Sequence, residues 1–110
     1  MTNFSQIIRT QVGKLPEVIA VVLSDTSGAL IESSGEIDGE TAGAINAVAV
    51  QSLCNIGEQL GMGALCRASL IGPGLALVLA TDEQEVVGLY IDPGRPLGAF
   101  EKKLDGALHR

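Results

Sequence analysis

Apolar residues along the chain keep two periods, one near 3.6 and one of 2, and the switches between them mark the elements. Phe4, Ile7, Ile8, Gln11 and Val12 follow helical spacing, and Pro16 ends that helix. Val18–Ser24 is a β-branched run that meets Asp25-Thr26-Ser27-Gly28, a turn with Asp first and Gly last. Ala29–Ser33 returns as a second strand, so the pair is a hairpin. Asp38 is placed to cap a long helix running to about Leu60, where Gly61 and Gly63 stop it. Ala64–Ile71, Leu75–Thr81 and Val86–Asp92 then read as three strands, joined by Gly72-Pro73-Gly74 and by the polar turn Asp82–Glu85. After Pro93-Gly94-Arg95-Pro96, a last helix carries Leu97, Phe100, Leu104, Ala107 and Leu108 on one side.

The order α-β-β-α-β-β-β-α predicts an α/β (α+β) fold in a single domain over residues 1–110. Its core is a five-stranded antiparallel sheet with helices on both faces. Val18–Leu23 and Leu75–Ala80 are apolar on consecutive residues, as strands covered on both faces must be.

Winding residues 40–61 at 3.6 per turn separates three stripes on the long helix. Ala42, Ile45, Ala49, Leu53, Ile56 and Leu60, with Val48 at the edge, form the expected core face. Glu40, Ala44, Gln51, Asn55 and Glu58 form a mostly polar face. The third stripe is small or apolar: Gly43, Ala47, Val50, Cys54, Gly57 and Gly61. Each interior glycine costs a helix about 1 kcal/mol relative to alanine, so a stripe of them asks for a reason. The expected reason is a second backbone packed closely there, most simply the same helix of another chain. The polar residues Glu40, Gln51, Asn55 and Glu58 are then left for a further partner.

Charge and composition exclude several functions. The net charge is −6, with 13 acidic and 7 basic residues, which argues against nucleic acid as a partner. Phe4, Tyr90 and Phe100 are the whole aromatic inventory, too few for base-stacking platforms. One basic residue, Arg67, stands among eleven acidic ones between residues 15 and 94. Nothing in Met1–Leu15 resembles a signal peptide, and no apolar run is long enough for membrane insertion. Cys54 and Cys66 sit in apolar patterns and read as buried thiols of a reducing, cytoplasmic compartment.

No catalytic set emerges. His109 is the only histidine and stands next to the last residue, which leaves no histidine-based triad or zinc site. Glu32, Glu36, Asp38 and Glu40 straddle a loop and a helix start, where acidic groups oppose the helix dipole. Gly61-Met62-Gly63 ends a helix and so presents no N-terminus to a phosphate. The chain is expected to be no enzyme, with no metal and no cofactor.

Leu15-Pro16-Glu17-Val18, the Ser24-Asp25-Thr26-Ser27-Gly28 turn and Ala29-Leu30-Ile31-Glu32-Ser33, followed by the small-residue helix, resemble the roadblock (dynein light-chain) domain family over essentially the whole chain. The resemblance implies that the long helix covers one face of the sheet and the terminal helices the other, with the long-helix side acidic. It further implies a dimer in which third strands pair edge to edge and long helices lie side by side. Here those elements are Ala64–Ile71, with Cys66, Arg67, Ala68 and Ser69 at the interface, and Gly39–Leu60. It also implies an adaptor role, since members serve dynein, lysosomal scaffolds and, in prokaryotes, regulators of a small Ras-like GTPase. The resulting expectation is a cytoplasmic homodimer that binds such a GTPase through its paired long helices and modulates hydrolysis without catalytic residues of its own. The competing readings are a purely structural dimerisation subunit of a larger complex and a small-molecule sensor.

Overall fold

The computed structural model describes residues 14–63, 67–82, 84–92, 94 and 97–108. Its elements are β1 (Val18–Asp25), β2 (Leu30–Gly35), α1 (Gly39–Gln59), β3 (Arg67–Ile71), β4 (Ala76–Thr81), β5 (Glu85–Ile91) and α2 (Leu97–Leu108). The helix expected over Phe4–Val12 lies outside the described residues, as do Ala64, Leu65 and Cys66. β2 extends past Ser33 to Gly35, and β5 ends at Ile91, where Asp92 leaves the ladder and its carboxylate accepts from the Gly94 N–H at 2.9 Å.

The sheet has five strands in the order β2-β1-β5-β4-β3, every neighbouring pair antiparallel. The first hairpin closes on Asp25, whose carboxylate accepts from the Ser27 hydroxyl at 2.6 Å and from the Ser27 and Ala29 N–H groups at 3.0 Å each. These bonds, led by the Ser27 hydroxyl, hold the Asp25 pKa below its ordinary value. Gly28 completes the turn at φ +96°, in the left-handed region that a side chain disfavours.

The apolar run of β1 divides between two faces, as a strand's alternation requires. Val21 and Leu23 join Val78, Ala80, Val87, Leu89 and Ile91 on the face covered by Phe100 and Leu104 of α2. Two polar ties fix that helix: Ser69 Oγ donates to Glu101 at 2.5 Å, and Lys103 lies 3.5 Å from the largely buried Glu17 carboxylate. On the other face, Ala20 and Val22 meet Ala42, while Leu79 and Val86 meet Val50 of α1. Asp38 caps α1 as expected, accepting from the Thr41 hydroxyl at 2.8 Å and the Thr41 N–H at 3.3 Å.

The rotation of α1 about its axis corrects the helical wheel. Gly43, Ala47, Val50 and Gly57, expected to face a second helix, are buried within this chain. Of the expected core stripe only Ala42 is buried; Ile45, Val48, Ile56 and Leu60 are exposed, and Ala49 and Leu53 are half-buried. The reason is the closeness of the helix to the first hairpin. A Cβ added to Gly43 would stand 3.3 Å from the Gly28 carbonyl oxygen and 3.4 Å from Ser24 Cβ. Small residues are thus needed where the helix meets its own sheet, and the bulky ones are turned outward.

Candidate interaction surface

α1 crosses the sheet from β2 toward β4 and divides lengthwise into three arcs. The inner arc rests on the strands through Gly43, Asn46, Ala47 and Val50. Asn46 is 1% exposed and accepts a hydrogen bond from the Tyr90 hydroxyl at 3.1 Å, in a mostly apolar layer whose other buried polar side chain among the described residues is Ser24, beside Gly43. Its amide nitrogen lies over Gly88, where an added Cβ would overlap it. Burial pushes the Tyr90 phenol up from its ordinary pKa, and the bond to Asn46 opposes that shift. The wheel assigned Asn46 to no stripe. The available signal was its spacing, three residues after Gly43 and four before Val50, which places it on the small-residue side.

The outer arc is the most exposed apolar surface on the helix. Val48 is 64% exposed, Ile45 60%, Ile56 52% and Leu60 69%, and Met62 follows just past the helix end at 73%. Monomeric proteins rarely leave a contiguous apolar stripe of this kind in water. The third arc holds Glu40, Gln51, Asn55 and Glu58, all exposed, and matches the expected polar face.

Beside the end of α1 runs β3, which among the described residues pairs only with β4. Leu70 stands opposite Leu77, which packs beneath α1, so Leu70 shares the α1 side of the sheet; it is 48% exposed. Ile71, next to it, is 74% exposed. A strand edge flanked by bare apolar side chains is a template for another chain.

The expected interface residues are therefore scattered by the fold. Gly43, Ala47 and Val50 are buried on the sheet side of α1, and Gly57 is buried beside the Gly63 carbonyl, 3.5 Å from where its Cβ would stand. Cys54 is half-buried beside Val50 and Leu79, while Gly61 is exposed beyond the helix at φ +70°. Arg67 and Ala68 are half-buried and Ser69 exposed on the β3 edge, and Cys66 falls outside the described residues. No helix among the described residues is long and apolar enough to cross a membrane.

No protein-family model matches the sequence, and no curated protein matches it. Solved structures do. A roadblock/LC7 domain from Streptomyces avermitilis superposes with a TM-score of 0.77 at 11% identity, over 97% of this chain and 92% of that one. Myxococcus xanthus MglB gives 0.75 at 19% identity, over 91% of this chain and 75% of that one. An MglB structure with a tetrameric arrangement gives 0.73 at 16% identity, over 94% of this chain and 77% of that one. At these identities the likeness establishes the fold, and the chain has the roadblock/LC7 fold that its turn and element order resemble.

Proposed function

We propose that the chain is a non-enzymatic, cytoplasmic adaptor that forms a homodimer and binds a small Ras-like GTPase across its paired α1 helices. The observation that carries this reading is the outward arc of α1, four large aliphatic side chains more than half exposed, lying on the same side of the sheet as Leu70 of the open β3 edge. A two-fold partner satisfies both needs at once, because strand pairing supplies the β3 hydrogen bonds and helix packing covers Ile45, Val48, Ile56 and Leu60. The tetrameric arrangement of an MglB supports self-association in this fold. Arg67, Ala68 and Ser69 then lie at the strand junction, and the small-residue stripe is the foundation of the interface rather than its contact surface.

Glu40, Gln51, Asn55 and Glu58 stay outside the apolar arc and flank the helix pair as an acidic platform. A GTPase that docks there presents Lys or Arg, associates faster at low salt and slows as screening rises. The test pairs the purified chain with a Ras-like GTPase encoded beside it, in its GTP and GDP forms. Glu40→Lys with Glu58→Lys is expected to slow association while leaving the light-scattering mass at that of a dimer. Lys102→Glu with Lys103→Glu, on α2 across the sheet, is expected to matter much less. Loss of binding in the α2 variant, with the α1 variant unaffected, places the GTPase on the opposite face.

A further inference from the structure

A groove of about 630 Å³ opens at the end of the sheet, next to α1 and distinct from its outward arc. Ala20 and Tyr90 line it from adjacent strands, with Ile37 contributed by the β2–α1 loop and Leu75 by the β3–β4 turn. Ile19 also lines it because of an irregularity in β1. The register slips between Val18, paired with Ile91, and Ala20, paired with Tyr90, so Ile19 is an extra residue in the ladder. Regular alternation would send Ile19 to the α2 face with Val21; the bulge brings it to the groove with Ala20 instead, 51% exposed.

The polar chemistry of the groove is sparse and one-signed. The Tyr90 hydroxyl is committed to Asn46, so the ring offers its apolar side. Among the described residues Glu36 is the one charged group in the lining, and Asp38 and Glu40 follow it on the same stretch, with no basic residue between Leu15 and Arg67. A small-molecule site would need several converging polar groups to orient its ligand, which the described residues of this lining do not supply. An apolar side chain carried on a basic backbone segment uses all that is here: hydrophobic walls and an acidic rim.

We infer that this groove docks a short segment of a partner protein in which a bulky apolar anchor is flanked by Lys or Arg. The apolar anchor sits between Ile19, Ile37 and Leu75 over the Tyr90 ring, and its basic neighbour faces Glu36. The site is independent of the outward arc of α1 and of the β3 edge, so dimerisation and anchor docking are separable.

The experiment uses the full ¹⁵N-labelled chain and three synthetic hexapeptides: Arg-Lys-Leu-Phe-Lys-Arg, Arg-Lys-Ser-Ser-Lys-Arg and Glu-Glu-Leu-Phe-Glu-Glu. The first peptide is expected to give saturable amide shifts at Ile19, Glu36, Ile37, Leu75 and Tyr90, and the other two to bind at least tenfold more weakly. Leu75→Glu and Ile19→Glu, both at exposed positions, are expected to weaken the first peptide about tenfold without changing the dimer mass. Glu36→Lys should weaken it severalfold and remove most of its salt dependence. Shifts centred on Ile45, Val48 and Ile56 overturn the assignment. So do equal binding of the acidic peptide, absence of saturation up to millimolar peptide, and a fall to monomer mass in Leu75→Glu, which would make the groove a contact between copies of the chain.

Discussion

Gly43, Ala47 and Val50 lie on one side of α1, and Ile45, Val48 and Ile56 on the other, with sizes opposite to those of a typical amphipathic surface helix. The inner side spends almost no volume. It gains contact by letting the helix backbone come within touching distance of the Gly28 carbonyl and the Ser24 side chain. The outer side holds the helix's bulk and, among the described residues, is left more than half exposed. Close packing to one's own sheet and covering by a second body demand different residues, and the proposed dimer uses the outer set for the second task. The contrast teaches that apolarity alone does not say which surface is the core. Residue size, set by the distance available, does.

Breaking the outer side should have the largest effect. Ile45→Asp with Ile56→Asp removes two central anchors and buries charge if the pair still forms. With about 2 kcal/mol or more for each anchor, dimer affinity is expected to fall roughly a thousandfold. Light scattering should then report a mass near the 11.3 kDa of the single chain, with the urea midpoint of the monomer little changed. A variant that keeps its dimer mass would leave the outward arc without its assigned role.

Breaking the inner side should instead unfold. Gly43→Leu forces a side chain into the hairpin and is expected to cost about 1–3 kcal/mol, occasionally more, in urea denaturation. Ala47→Leu acts in the same way, on stability first rather than on helix pairing. If Gly43→Leu left stability unchanged but abolished dimerisation, the inner and outer assignments would have to be exchanged.

The polar pair inside the inner layer sharpens the same comparison. Tyr90→Phe leaves the Asn46 side chain without its donor in a layer closed to water, at an expected cost of about 1–3 kcal/mol. The loss should appear in the urea midpoint and be absent from the dimer dissociation constant measured on folded protein.

The smallest effect expected is on the acid side. Asp25 and Asp38 both have folded-state pKa values below the ordinary 3.8, Asp25 through the Ser27 hydroxyl first and Asp38 through the Thr41 hydroxyl first. A depressed carboxylate pKa gives stability that is complete above the unfolded value and lost as pH falls through the folded one. Asp25→Asn and Asp38→Asn should therefore flatten the decline in thermal midpoint below about pH 4. An unaltered acid limb would show that neither carboxylate contributes to it.

How much of this was visible in the residues differs from element to element. The hairpin was legible because Asp25 and Gly28 have local reasons to be where they are: one carboxylate collects the turn's donors, and one glycine takes a positive φ. The start of α1 was legible for the same reason, through Asp38, whose carboxylate accepts from Thr41 in the structure. The groove was not, because it rests on a register slip at Ile19 that only strand pairing reveals. Nor was the rotation of α1, since the wheel put Ile45, Val48 and Ile56 toward the sheet, and the structure turns Gly43, Asn46, Ala47 and Val50 there instead.

The chain by itself determined the order of elements from β1 to α2, the turns that join them, the two-sided burial of residues 20–23 and the polar arc of Glu40, Gln51, Asn55 and Glu58. Each follows from neighbours a few positions apart, where backbone geometry and alternation decide. Ile19, exposed at the bulge, departs from the burial its run predicts. Only the tertiary structure decided the rotation of α1 and the union of Asn46 with Tyr90, because both depend on how near one element approaches another. That distance is set by residues far apart in sequence, Gly43 against Gly28 and Asn46 against Gly88. Periodicity reports the direction of a side chain relative to its own helix axis and carries no information about what lies across the gap.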